Sequence, residues 1–373
     1  MKVLLLTSHL EVGGIGIYTV DMAKYLKKYG IDVIVASSGG LLARRLDIAG
    51  IRHFYLDING KNEFGFKMLR ALPIVIKFIK EEGIDILHAQ TRITQVLSSL
   101  SGFFTRKKVV TTCHGFFNHH RLSRKLYPAW GDSVIAISSG VTRHLINDLK
   151  VPRDRVNLVY NGVDIKRYGK KTKKECAYAV RDHKFDINKI TIGSVGRFSI
   201  VKGHKFLIEA FALLYAERKD IQLLLIGKGE EEINLMKLAR ELLVDDKIIF
   251  SSGINAPLED YISLIDIFVL PSISEGFGIA LVEAMASLCA CVASNTAGPS
   301  EIIVREESGI IVETKNSSAL KDALLRVIND DKLRKYLAFN AQRRAVENFD
   351  IEETVKNTIK VYKNVLAVGG NKK

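Results

Sequence analysis

The sequence predicts an α/β protein with two Rossmann-like lobes facing a cleft. Three observations carry that expectation. Short apolar runs alternate with helical segments in both halves of the chain, as in parallel sheets covered on both faces. The first strand of each half runs into a glycine-bearing loop, Val12-Gly13-Gly14-Ile15-Gly16 and Gly196-Arg197-Phe198-Ser199-Ile200-Val201-Lys202-Gly203. The length, 373 residues, suits two domains. Ligand sites favour the crevice between such lobes.

In the first half, residues 3–7 read as a strand that enters a glycine turn and a helix over 18–29. Strands follow at 32–36, 84–88, 109–113 and 133–137, with helices over 66–82 and near 140–149. In the second half the strands are 190–195, 222–226, 247–250, 266–270 and 291–293, with helices near 205–217, 231–243 and 279–287. Residues 167–188 are charged and aperiodic and read as a linker with a surface excursion. The tail, 352–368, is an amphipathic helix that suits either lobe. The lobes are expected to span 1–165 and 166–354.

Hydrophobic residues make up 47% of the chain, enough for a substantial core. The four cysteines, Cys113, Cys176, Cys289 and Cys291, follow no disulfide or zinc spacing, which fits a reducing cytoplasm. Neither a secretory signal nor a run of 18 apolar residues is evident, so a spanning segment is not expected. The net charge of +14 is uneven: residues 1–165 carry 23 Lys and Arg against 13 Asp and Glu. A basic half attracts nucleic acid, anionic lipid or an anionic substrate. A recognisable RNA- or DNA-binding module and regularly spaced aromatic platforms are absent, so no nucleic-acid partner is expected. The Walker and Gly-x-Ser-x-Gly patterns are also missing, as is the Asp-x-Asp of metal-held nucleotide-sugar chemistry.

The stretch from Pro271 to Ala286 is the most informative. The apolar run 266–270 reads as a buried parallel strand, Glu275-Gly276-Phe277-Gly278 as a loop, and Ile279 onward as a helix that carries Glu283. Gly276 and Gly278 permit close backbone approach and positive φ, and amides at the following helix start would face an anion. If every step from Glu275 to Glu283 were helical, the two would lie about 12 Å apart. Two separated carboxylates suit a ligand with hydroxyls at both ends, as in a nucleotide-sugar. The alternative is that Glu275 complements a helix dipole and Glu283 is a solvated helix residue.

Arg197 and Lys202 stand at the carboxyl end of the strand 190–195, where a planar fork and a point charge would hold a diphosphate and offset charge on a leaving phosphate. Otherwise they are surface cations. Gly13 and Gly14 lack the Gly-x-Gly-x-x-Gly spacing of a dinucleotide site, and Ser37-Ser38-Gly39 supplies no ribose-binding acid after the second strand. A glycine loop facing a phosphate or sugar is the reading that remains, beside a plain tight turn. His114, at the end of the strand 109–113, is placed either to hydrogen-bond a sugar or to serve the fold. His119 and His120 lie nearby, on a basic aromatic stretch, without metal-ligand spacing.

Taken in order, Gly13-Gly14, Cys113-His114-Gly115, Asn161-Gly162-Val163-Asp164, Gly196-Arg197 with Lys202-Gly203, and Glu275 with Glu283 resemble the retaining glycosyltransferases of family 4, which have the GT-B fold. The resemblance runs from Lys2 to about Tyr362. It implies an N-terminal acceptor lobe, a C-terminal donor lobe and a terminal helix near 355–373 that packs back on the first lobe. It implies that Arg197 and Lys202 bind the donor diphosphate and that Glu283 holds the ribose hydroxyls. Glu275 and the backbone of Gly276, Phe277, Gly278 and Ile279 would hold the transferred sugar. His114 would contact that sugar, Gly14 would approach the phosphate, and Gly253 and Ile254 would lie against the base. The reaction implied is hexose transfer from a UDP- or GDP-sugar, with retention and without metal or cofactor, to a lipid-linked, lipopolysaccharide or other glycan acceptor. An epimerase-type reaction or a small soluble acceptor is the alternative. Segments mixing aromatics and cations, Phe64 to Arg70 and Phe103 to Lys108, suit an anionic membrane surface, here the inner face of the cytoplasmic membrane. Two departures stand out. Gly16 occupies a place where the family often has an acid, and Ser287-Leu288-Cys289-Ala290 replaces a Gly-Pro segment after the Glu283 helix. Losing that glycine should weaken the helix C-cap and adjust the backbone locally.

Overall fold

A computed structural model describes residues 1–60, 63–117, 122–169, 171–180, 185–253 and 256–370. The chain forms two compact units, Met1–Asn161 with Ile351–Lys373, and Gly162–Asp350. Each is a Rossmann-like α/β unit built on a wholly parallel sheet.

The first unit contains β1 (Lys2–Leu6), β2 (Asp32–Ser37), β3 (Arg52–Tyr55), β4 (Ile86–Ala89), β5 (Lys108–Cys113), β6 (Ser133–Ala136) and β7 (Val156–Leu158), in the order β3-β2-β1-β4-β5-β6-β7. The central strands β1, β4 and β5 are almost wholly buried because helices cover both faces. Leu4, Ile34, Leu87 and Val109 pack with Val75 and Ile79 of the helix Phe66–Glu82 and Val96 of the helix Arg92–Thr105. The terminal helix Ile351–Gly370 belongs to this unit. Its Tyr362 hydroxyl hydrogen-bonds His88 Nδ1 at 2.6 Å, and Thr354 Oγ1 donates to the Tyr160 carbonyl at 2.9 Å.

The second unit contains β8 (Ile190–Val195), β9 (Ile221–Ile226), β10 (Ile248–Ser251), β11 (Ile267–Leu270), β12 (Ala290–Ser294) and β13 (Ile310–Val312), ordered β10-β9-β8-β11-β12-β13. Phe211, Leu223, Leu225, Val269, Val292 and Leu324 are among its fully buried or nearly fully buried core. Strand order reverses between β1 and β4 in one sheet and between β8 and β11 in the other. Open α/β sheets bind ligands beyond the carboxyl ends of strands at such reversals.

Several elements depart from the sequence reading. Strand β3 is too polar, and β7 and β13 too short, to show a pattern. The helix Arg92–Thr105 is rich in serine and β-branched residues, yet a Thr91–Thr94 capping box starts it and its apolar face is buried. The first helix begins at Gly14 rather than 18, taking the glycine turn into its first turn. Helix continues beyond Arg143 as a π turn, His144–Asp148. The segment 167–188 is not a free surface excursion where it is described. Lys173 Nζ donates to Asp266 Oδ2 at 2.5 Å, Lys171 pairs with Asp260, and Cys176 is buried.

The helix Ile279–Ala286 ends in a Schellman motif, with Leu288 N–H donating to the Met285 carbonyl (3.2 Å) and Cys289 N–H to that of Ala284 (3.1 Å). Leu288 therefore takes the left-handed position at φ 62°, where glycine would be unstrained. Both cap hydrogen bonds form without a glycine, and its absence appears as a left-handed leucine rather than as an altered backbone path.

Candidate active site

In the second unit, β8 and β11 lie side by side and deliver two loops to the same edge of the sheet. The β8 loop ends in the short turn Ile200–Lys202 and Gly203, whose φ is 67°. A Cβ on Gly203 would collide with the Pro271 carbonyl at the end of β11. Ile273 N–H donates to the Val201 carbonyl at 2.8 Å, so glycine and a backbone hydrogen bond stitch the loops together.

This junction sets one side chain from each loop against the other. Lys202 Nζ donates to Glu275 Oε2 at 2.6 Å, and the buried Ser272 hydroxyl donates to the same oxygen at 3.2 Å. The Glu275 side chain is 12% exposed and that of Lys202 30%, so the pair is largely withdrawn from water yet reachable. Glu275 is thus no mere helix-start acid. Phe277 is buried beneath the loop. Gly278 caps the helix Ile279–Ala286 at φ 110°, and the first amides of that helix, including Ile279, have no partner within the helix. Gly276 lies between Glu275 and Phe277 in the same loop.

Glu283 is only 3% exposed, which removes the solvated alternative. Tyr168 Oη donates to Glu283 Oε1 at 2.6 Å. Burial, followed by the Glu283 charge, holds the Tyr168 phenol well above its ordinary pKa. Arg197 turns the other way. Its Nε and Nη2 donate to Glu230 Oε2 at 3.1 and 2.9 Å on an exposed face. Glu230 follows β9 in Gly227-Lys228-Gly229, where a Cβ on Gly227 or Gly229 would strike the β8 loop backbone at Gly196 or Phe198. Gly253, after β10, has φ 70°. Ile254 lies outside the described residues, as do His119 and His120.

In the first unit, His114 leaves β5 and its Nε2–H donates to Gln90 Oε1 at 2.8 Å. Tyr18 packs edge-on against the imidazole, with ring centroids 5.1 Å apart. Burial lowers the His114 pKa to about 3, so the ring is neutral. Gln90 follows β4, and its buried amide nitrogen has no hydrogen-bond partner among the described residues. Gly13 caps the helix Gly14–Lys28 with extended backbone, φ 168°, and a Cβ there would meet nothing within 4 Å. Neither backbone conformation nor crowding requires glycine at this position.

Sequence reasoning missed Tyr168, Gln90, Glu230 and His204. His204 is 2% exposed, lies edge-on to Phe198, and has an Nδ1 without a partner among the described residues. Burial first, and the Lys202 charge second, lower its pKa to about 4. The Gly227-Lys228-Gly229-Glu230 run at a strand end could have pointed to Glu230. No local pattern marks Tyr168, whose partner lies 115 residues away.

Comparison with known proteins follows the same lines. The family model for glycosyl transferases group 1 matches residues 179–344, and that for Glycosyltransferase Family 4 matches residues 12–167. The chain is 25% identical to N-acetyl-alpha-D-glucosaminyl L-malate synthase of Bacillus anthracis, over 97% of this chain and 96% of that one. It is also 25% identical to the UDP-Gal:alpha-D-GlcNAc-diphosphoundecaprenol alpha-1,3-galactosyltransferase of Escherichia coli, over 90% and 89% of the two chains. A solved glycosyltransferase from Rickettsia africae ESF-5 superposes with a TM-score of 0.83 at 26% identity and covers 98% of both chains. The chain belongs to the family 4 glycosyltransferases and has the GT-B fold.

Proposed function

We propose that this glycosyltransferase moves a hexose from a nucleotide-sugar to a glycan acceptor, with retention at the anomeric carbon and without a metal ion. The Lys202–Glu275 pair carries the reading. It joins a cation suited to a leaving diphosphate with a carboxylate suited to sugar hydroxyls, at the edge where this fold binds ligands. In this reading Arg197 leaves Glu230 to share the diphosphate, Glu283 takes the ribose hydroxyls, and the amides after Gly276 face the sugar. Gly253 and Ile254 lie against the base, and Gly13, Gly14 and His114 serve phosphate and sugar. UDP is the preferred nucleotide, since the E. coli relative is named for UDP-galactose.

The same relative's diphosphoundecaprenol acceptor supports a lipid-linked substrate here. Phe66 and Phe103 are 72% and 78% exposed beside Lys67, Arg70, Arg106 and Lys107, which supports peripheral attachment to the inner face of the cytoplasmic membrane. Among the described residues, no helix is long and apolar enough to cross a membrane. A small soluble acceptor is the second reading, favoured by the L-malate in the B. anthracis relative's name. The test is release of UDP or GDP from candidate donors, with a diphosphoundecaprenol-linked sugar, with L-malate, and with neither. Product NMR reads the anomeric configuration, and EDTA tests the metal. Release that ignores Lys202→Ala overturns the site, and release without acceptor favours epimerase-type chemistry.

A further inference from the structure

The carboxyl edge of the first unit's sheet carries His114 and Gln90, but the amino edge has a site of its own. Strands β5, β6 and β7 are neighbours, so their amino ends, Lys108, Ser133 and Val156, lie side by side. The segments entering these strands line an open cavity of about 1280 Å³. Six residue steps along β5 separate Lys108 at this edge from His114, about 20 Å at the usual strand rise.

Five cations line the cavity: Arg106, Lys107, Lys108, Lys150 and Arg155. Lys108 is neutralised by Asp132, 3.0 Å away, which also accepts from the Val109 N–H at 2.9 Å. Arg106, Lys107, Lys150 and Arg155 have no ion pair among the described residues, and Asp154 is the one lining acid left to oppose them. Trp130 and Val361 add buried apolar wall.

The backbone points the same way. Of the seven non-glycine residues with positive φ among the described residues, Arg106 (φ 55°), Ala129 (φ 56°) and Lys150 (φ 54°) all line this cavity. Arg106 directly follows the helix Arg92–Thr105, a position where glycine is the favoured residue. A cation there helps cap the helix carbonyls, but glycine would remove the strain. Strained conformations that persist cluster at sites of function.

We propose that this cavity is a second anion site, separate from the donor site, which takes a phosphate or diphosphate group. Its source is either a phospholipid headgroup or a free phosphate compound. The inference goes beyond the transferase reading and does not need it.

The test uses the full chain carrying Lys202→Ala, which disables the proposed donor site, and compares it with the same chain carrying Arg106→Gly and Lys150→Gly as well. Calorimetric titration with inorganic pyrophosphate at low salt should show saturable binding, at least tenfold weaker after the two glycine substitutions. Sedimentation with phosphatidylglycerol–phosphatidylcholine vesicles is the second arm. Loss of vesicle binding in the glycine variant, with little pyrophosphate binding in either protein, assigns the headgroup. Glycine-sensitive pyrophosphate binding with no vesicle binding assigns a free phosphate. Glycine-sensitive binding in both arms supports the site for either source. Both glycine substitutions should hold or raise Tm, so lost binding would not be lost fold. Binding unaltered by the two glycines, or absent in both arms, overturns the proposal. Donor affinity compared between the wild-type chain and Lys202→Ala, with Arg106 and Lys150 intact in both, tests the transferase assignment separately from this outcome.

Discussion

Gly203→Ala probes the junction between the β8 and β11 loops directly. A methyl group there falls well inside 3.0 Å of the Pro271 carbonyl, and φ is 67°. The left-handed conformation alone costs about 1–2 kcal/mol for alanine. Relieving the collision requires the β8 and β11 loops to part by about 1 Å, and overpacking of this kind costs a further 1–3 kcal/mol or so. Total destabilisation should be about 2–5 kcal/mol. For a unit of this size that is a fall in Tm of roughly 4–20 °C. Lys202 is the neighbouring residue, and if it serves the reaction as proposed, a displacement of about 1 Å there lowers turnover on the order of 100-fold. Thermal melting and kcat for nucleotide release measure the two effects. In the background of Lys202→Ala, Gly203→Ala should lower kcat little further, because both act through the same contact. If Gly203→Ala kept wild-type Tm and kcat, or if the two losses multiplied, the loops would not be coupled as described.

Gly13→Ala should behave in the opposite way: with open space around the new methyl, Tm should move by no more than about 4 °C, while kcat/KM for the donor should fall at least about tenfold if a phosphate approaches the backbone there. Tyr168→Phe removes a hydrogen bond to the buried Glu283, worth about 1.5–3 kcal/mol when the acceptor is charged. Denaturant melts should show that loss, and donor KM should change more than kcat if Glu283 holds the ribose. Leu288→Gly should raise stability by up to about 1 kcal/mol by relieving the left-handed C-cap, offset in part by the loss of a half-buried side chain. The folded-state pKa of His204, about 4, lies below the ordinary value of 6.5, so the unfolded chain binds more protons between those limits. Stability should therefore fall as pH drops from about 6.5 to 4, and His204→Gln should flatten that slope in pH-dependent melts.

What could be read from the sequence was the repetition of strand, glycine loop and helix, because a strand buried on both faces reads as a short continuous apolar run. The apolar run ending at Leu270 and the glycines after Glu275 marked β11 and its loop without help from distant residues. Edge strands were lost because Arg52–Tyr55 is too polar, and Val156–Leu158 too short, to carry a pattern. The site was legible as residue types but not as partners. Lys202 and Glu275 could be named, yet only the side-by-side placement of β8 and β11 brings them to 2.6 Å. The Arg197–Glu230 pair and the Tyr168 hydrogen bond depend on contacts between distant parts of the chain, which local spacing does not encode.

The helix Ile351–Gly370 completes a unit whose other part ends at Asn161. During synthesis the intervening residues must emerge first, taking about 10–40 s at roughly 5–20 residues per second. The contiguous Gly162–Asp350 unit can therefore fold while its elder neighbour still lacks the Tyr362 hydroxyl that satisfies His88. For that interval the nascent chain exposes an apolar seam on its earliest-made sheet, and chaperone demand should fall on the part translated first.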